Sequence, residues 1–249
     1  MNLRETMLAE QQLKGLFEQA KGYAFEYAEA IADRAVFPTP QAIADLEQFV
    51  EAMPGHPGDA SSILQQLHDY GSPASVAQTG GRYFGFVNGG IIPVTLATKW
   101  LTDFWDQNTA LQLMSPITSK LEEVCQRWLQ QLLGLPDTTV AGFVSGTSSA
   151  IFCGLAAARL RIYGNHGWDF NQQGHNGAPP IRIIAGRHTH GAVIKAIALL
   201  GFGLDNIEWV EGDDQGRIDQ NQMPELDATC IVILQAGNVN SGAFDPFDQ

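Results

Sequence analysis

Val144-Ser145-Gly146-Thr147-Ser148-Ser149-Ala150 is a glycine turn at the start of a helix, and Arg187-His188-Thr189-His190-Gly191 follows some 40 residues later. Between and after these two stretches the chain alternates strand and helix patterns. Val140 to Val144 reads as a strand and Ser149 to Tyr163 as a helix. Gly164 to Pro180 is a polar, glycine-rich loop, read as a solvated surface excursion. Arg182 to Ala185 is a strand, Gly191 to Leu200 a helix, and Ile207 to Val210 and Cys230 to Leu234 are two more strands. That order predicts an α/β fold with a mainly parallel sheet covered by helices. Ligands of such sheets bind at the carboxyl ends of the strands, where both quoted stretches fall.

The chemistry of the two stretches points the same way. A glycine turn lets backbone N–H groups converge on an anion, and the helix behind it adds about half a positive charge. Thr147, Ser148 and Ser149 contribute hydroxyls, which suits a phosphate monoester; the same residues also read as a plain N-cap. The turn is neither a Walker A loop nor GxGxxG, and Ser145 and Ser148 lack the glycine flanks of a nucleophile elbow. His190 at a strand end can stack on a flat ring or move a proton; it can equally be a structural residue. His188, two residues earlier, projects to the opposite face if the strand persists, and the pair without a third ligand makes no zinc site. His56, His68, His166 and His175 carry no functional signal.

Upstream the pattern is helical. Leu13, Leu16, Phe17, Ala20, Tyr23, Ala24, Tyr27, Ala28 and Ile31 recur at helical spacing, and Pro38 and Pro40 end the run. Thr39-Pro40 opens a second helix through Phe49. Pro54-Gly55-His56-Pro57-Gly58 breaks the pattern, and Ser61 to Tyr70 is a third helix. Then come the glycine- and aromatic-rich stretch Gly80 to Gly90, a helix from Pro93 to Trp105, and a long helix from Ser115-Pro116 to Leu133. The expected buried face of that long helix is Leu121, Val124, Cys125, Trp128, Leu129 and Leu132.

Composition sets outer bounds. The 249 residues are enough for a sizeable core. Fourteen basic against 27 acidic residues give a net charge of −13, which argues against nucleic acid or an anionic membrane as the main partner. Cys125, Cys153 and Cys230 are widely spaced, which fits reduced thiols in a cytoplasmic protein; Cys153 and Cys230 lie in apolar runs and read as buried. The first residues have no apolar signal region, and no apolar run reaches the roughly 20 residues that span a bilayer.

Six segments in order resemble the group II pyridoxal-phosphate-dependent decarboxylases, the family of aromatic-L-amino-acid, glutamate and histidine decarboxylases. They are Arg34-Ala35-Val36-Phe37-Pro38; Tyr83-Phe84-Gly85-Phe86; Ser115-Pro116 with Leu121-Glu122 and Trp128-Leu129; Gly146-Thr147-Ser148-Ser149; His190 to Ala196; and Gln235-Ala236-Gly237 with Gly242-Ala243-Phe244-Asp245-Pro246. The resemblance covers residues from about 30 to 249. It implies a fold-type-I enzyme that decarboxylates an L-amino acid with pyridoxal 5'-phosphate and works as a homodimer.

By the same resemblance, Gly146, Thr147, Ser148 and Ser149 hold the cofactor phosphate. His190 stacks on the pyridine ring and orients the leaving carboxylate. Tyr83, Phe84 and Phe86 line the substrate entrance, a role that competes with plain packing. Residues 1–75 form a helical segment that clasps the partner subunit, and 76–249 form the first part of the large cofactor-binding domain.

Two departures from the family pattern stand out. Gln235-Ala236-Gly237-Asn238 replaces Thr-Ala-Gly-Thr, so a threonine contact passes to Asn238. The family's ring-nitrogen aspartate and Schiff-base lysine lie beyond Gln249, and Lys14, Lys21, Lys99, Lys120 and Lys195 do not stand in that setting. The expectation is therefore an enzyme completed by a C-terminal polypeptide carrying that lysine, with this chain poorly soluble alone because its sheet edge is open. A non-catalytic fragment or pseudo-enzyme subunit is the alternative, as are aminotransferase, carbon–carbon lyase or aldehyde-forming reactions on the same fold.

Overall fold

The computed structural model describes residues 3–56 and 58–247. Met1 and Asn2 of the N-terminus, Pro57 of the break at 54–58, and the final Asp248 and Gln249 lie outside the described residues. The chain forms two compact units, Met1–Asn108 and Thr109–Gln249.

The first unit is helical, with no strand among its described residues. Its helices are α1 (Leu3–Gln11), α2 (Lys14–Ala30), α3 (Pro40–Ala44), α4 (Ala60–Gln66) and α5 (Pro93–Trp105). Pro40 starts α3, and Thr39 Oγ1 accepts the Ala42 N–H at 3.2 Å, the cap its sequence calls for. α3 tightens into a 3₁₀ turn over Asp45–Phe49, and α4 widens into a π turn over Leu67–Gly71. α2 meets α4 through polar side chains: Tyr23 Oη donates to Gln65 Oε1 at 3.1 Å and Ser61 Oγ to Gln19 Oε1 at 2.8 Å. His68, unremarkable in the sequence, stacks on Tyr23 at 3.9 Å and reaches Glu26 at 3.5 Å. The π turn shifts the helix phase and brings that ring over α2.

The second unit holds α6 (Pro116–Leu133), α7 (Thr147–Asn165), α8 (Phe170–Gln173), β1 (Arg182–Gly186), α9 (Gly191–Leu199), β2 (Ile207–Val210) and β3 (Cys230–Ile233). The strands form one sheet in the order β2-β1-β3, parallel throughout, with Ile183 opposite both Ile207 and Ile231. Ile183 and Ala185 of β1 face Leu155 and Ile162 of α7 and Ala196 and Ile197 of α9. Ile184 points the other way, to Val210, Ile218 and Met223, so that face is covered by the irregular segment between β2 and β3. Ile183, Ile184 and Ile197 are fully buried, each burial worth about 1.5–3 kcal/mol.

Four expectations are corrected. Residues 140–144 are not a strand: a strand exists through its ladder, and Ala141 N–H instead goes to the Gln126 side chain at 3.2 Å. The apolar face of α6 is not buried, with Leu121, Trp128 and Leu132 more than half exposed. Cys153 is exposed, because α7 turns Leu155, Arg159, Ile162 and Tyr163 to the sheet and Cys153 away from it. Residues 164–180 are not simply solvated: they contain α8, and Trp168 Nε1 donates to Gly174 O at 2.9 Å. No helix among the described residues is long and apolar enough to cross a membrane.

Candidate functional site

Gly146 enters α7 in extended conformation, and the first internal helical bond runs from Ala150 N–H to Gly146 O at 3.1 Å. The N–H groups of Thr147, Ser148 and Ser149 precede that bond and point out of the helix end. No side chain caps this terminus. Three backbone donors and the positive end of a 19-residue helix thus meet at three hydroxyl-bearing residues, with Ser149 half-buried and Thr147 and Ser148 exposed.

His190 caps α9. Its Nδ1 accepts the Ala192 N–H at 3.1 Å. A backbone N–H can only donate, so Nδ1 carries the lone pair and the neutral ring keeps its proton on Nε2. α9 begins five residues after β1 ends, at the carboxyl edge of the sheet. α7 and α9 pack on the same face of β1 through Leu155, Ile162, Ala196 and Ile197, and Arg159 Nη1 of α7 donates to Leu200 O at the end of α9 at 2.9 Å. His190 therefore stands at the strands' carboxyl edge, at the start of α9, and Gly146, Thr147, Ser148 and Ser149 stand at the start of α7, the helix packed beside it.

The same edge carries the loops that follow β2 and β3. β1 stops at Gly186, so His188 does not alternate across the sheet. It packs where a Cβ on Gly212 would lie 3.2 Å from its Cδ2. Asn238 lies in the loop after β3. Its Oδ1 is engaged by the N–H groups of Asn240 at 2.9 Å and Ser241 at 3.3 Å, and its Nδ2 packs against Gly216. Tyr83, Phe84 and Phe86 belong to the first unit. Tyr83 is half-buried against Gly85, while Phe84 and Phe86 are 93% and 90% exposed. Phe86 and Val87 both take the left-handed backbone, at φ 54° and 56°, a strained conformation for bulky residues.

Two polar clusters went unread in the sequence. Arg159, 8% exposed, lies over the Phe170 ring at 3.8 Å, and His175 Nε2 reaches Leu200 O at 2.8 Å. Burial lowers the Arg159 pKa and raises that of Tyr163, whose hydroxyl meets His175 Nδ1 at 3.2 Å. This cluster closes the far ends of α7 and α9, away from the carboxyl edge; an arginine on the apolar face of α7 was its signal. The second cluster centres on Asp245, 6% exposed and bonded to two backbone N–H groups. In the sequence Asp245 stands in the Gly242-to-Pro246 segment of the resemblance, with no role attached to it. Lys120 is ion-paired to Glu123 on α6 at 2.6 Å, and Lys195 is exposed on α9.

Residues 44–249 match the family described as the pyridoxal-dependent decarboxylase conserved domain. Cysteine sulfinic acid decarboxylase of Rattus norvegicus is 26% identical over 175 residues, which cover 67% of this chain and 34% of that protein. The crystal structure of mouse CSAD in apo form superposes with a TM-score of 0.81 at 22% identity, over 95% of this chain and 51% of that one. Oryza sativa TDC, solved with PLP and tryptamine, gives a TM-score of 0.73 at 18% identity, over 85% of this chain and 44% of that one. The chain thus spans about a third of the curated relative's length and about half of each of these structures. The fold is that of the fold-type-I pyridoxal-phosphate decarboxylases.

Proposed function

The chain belongs to the pyridoxal-dependent decarboxylase family, and from that premise we propose that it supplies the phosphate- and ring-binding part of a lyase that decarboxylates an L-amino acid with pyridoxal 5'-phosphate. The observation that carries the reading is that α7 and α9, the helices with these two starts, pack side by side on one face of β1. The donor set there fits a phosphate monoester: backbone N–H groups from Thr147 to Ser149, with the Ser148 and Ser149 hydroxyls beside them. His190 fits the ring face, held by its cap with Nε2–H free to donate to a carboxylate. Asn238 is proposed to reach the cofactor from the neighbouring loop, and Tyr83, Phe84 and Phe86 to line the substrate entrance.

When bound, the cofactor supplies an electron sink for the carbon that loses carbon dioxide. This chain's residues bind the phosphate, orient the ring and hold a proton at His190 Nε2. The lysine that holds the cofactor covalently, and the acid that pairs with its ring nitrogen, are proposed to come from a C-terminal polypeptide. Support for this comes from the surroundings of two of the chain's lysines: Lys120 is ion-paired to Glu123 and Lys195 is exposed on α9. The same surroundings favour a second reading, a non-catalytic subunit that keeps the phosphate cradle. The family resemblance supports a homodimer clasped by residues 1–75, with 76–249 as the beginning of the cofactor domain, and the free cysteines are compatible with a cytoplasmic location.

The test is an absorbance spectrum of the native assembly with pyridoxal 5'-phosphate, paired with denaturing mass spectrometry. A bound visible band and a second polypeptide support the lyase, and amino-acid substrates are then screened for carbon dioxide release. A colourless assembly of this chain alone removes the catalytic reading.

A further inference from the structure

Three loops meet at the carboxyl edge of the sheet: the turn 187–190 after β1, the turn 211–219 after β2 and the loop 234–245 after β3. Their junction is a single buried carboxylate. Asp245 Oδ1 accepts the Ile218 N–H at 2.9 Å, and Oδ2 accepts the Gln235 N–H at 2.7 Å. The Asp245 N–H returns to Gln235 O at 3.0 Å, so the β3 loop closes on itself at its base. Its tip is tied as well: Asn238 N–H donates to Ala243 O at 2.8 Å, and Ser241 Oγ donates to Gln215 O at 2.6 Å. The turn after β1 joins through His188, which packs on Gly212 and Gly216, while Asn238 Nδ2 lies against Gly216 from the other side.

The geometry points to Asp245 as a positioning residue: it locks the loop that carries Asn238 to the turn after β2, and so sets Asn238 in register with the turn that carries His190. The inference rests on the proposed pyridoxal-phosphate function and adds a residue to it. Both oxygens of Asp245 are spent on backbone donors, and a carboxyl group offers an acceptor at each position. An amide of the same shape presents N–H to one of the two donors and leaves it unsatisfied in a buried place. The loops then lose their mutual register while β1, β2 and β3 keep their ladder.

The experiment compares the wild-type assembly with Asp245→Asn in two measurements: amide hydrogen exchange, and spectral titration with pyridoxal 5'-phosphate. The expected result is exchange about tenfold faster in residues 211–219 and 235–245, unchanged exchange in the three strands, and cofactor affinity about tenfold weaker. Loosened loops with unchanged affinity would reduce Asp245 to a structural residue and overturn the inference. Unchanged loop exchange overturns it too. A wild-type assembly that takes up no cofactor defeats the functional reading itself, whereas binding by both proteins with equal affinity defeats only the role of Asp245. If Asp245→Asn does not fold, Ser241→Ala removes the other cross-loop bond at an exposed position, and the same two measurements decide.

Discussion

His190 Nδ1 accepts the Ala192 N–H at 3.1 Å, so one ring serves both as the cap of α9 and as the group offered at the edge of the sheet. The two duties are separable by substitution. Asparagine is among the best N-cap residues and has no ring. His190→Asn is therefore expected to keep the melting temperature within a few degrees. His190→Ala loses the cap and about 1 kcal/mol with it. Both are expected to lower decarboxylation by about a hundredfold or more, the scale of a positioned proton donor. Calorimetry beside a carbon dioxide release assay checks this. An active His190→Asn would mean that the ring has no catalytic part.

Arg182 grips Glu208 with two bonds of 2.7 Å each, from Nε to Oε1 and from Nη2 to Oε2, and so ties β1 to β2 at their amino ends. The Arg182 hydrogen bonds hold the Glu208 carboxyl below its ordinary value of 4.5. At pH values near 4.5 the unfolded chain thus binds more protons at this group than the folded one does. The stabilisation is present above that range and is lost as pH falls through the lowered folded value. Melting curves from pH 7 to pH 3 should fall on the acid side for the wild type and fall less for Glu208→Gln. Because Glu208 is about 39% exposed, the difference will be modest.

Gly216 takes φ +77°, and a Cβ there would lie 2.5 Å from Asn238 Nδ2. Gly216→Ala meets both obstacles at once, an unfavourable backbone region and a clash in a packed junction. The expected cost is about 1–3 kcal/mol, read as a lower melting temperature, with weakened cofactor affinity because Asn238 is pushed aside. Gly146→Ala differs on both counts: Gly146 has an extended backbone, and a Cβ there meets nothing within 4 Å. It should fold normally.

Local pattern was sufficient for α2 to α7, α9 and the three strands, but not for α1 or α8. Pro93 and Pro116 start α5 and α6, and β2 runs from Ile207 to Val210 as its apolar pattern predicts. What failed was non-local. Residues 140–144 have strand composition, but a strand needs a partner, and no residue within the stretch specifies one. The face of α6 is legible as apolar, yet its spacing does not say whether anything lies against it. The starts of α7 and α9 were legible because helix starts are local events. Asp245 and His175 were not, because their roles depend on Ile218 and Gln235 in one case and on Arg159 and Leu200 in the other.

The cysteines give the cheapest check of the packing. Cys153 is exposed on the outer side of α7, whereas Cys125 and Cys230 are half-buried. The Cys230 Sγ also receives bonds from Arg182 Nη1 and the Asp227 N–H, each at 3.4 Å. A maleimide applied to the native chain should therefore label Cys153 first. Labelling there should leave cofactor affinity unchanged, since α7 turns that side away from the sheet. The order is read by peptide mass spectrometry over a time course. Faster labelling of Cys230 than of Cys153 would show that the ion-paired end formed by Arg182, Glu208 and Asp227 opens readily in solution. In that case the contribution of the Arg182–Glu208 pair to the acid limb should disappear as well.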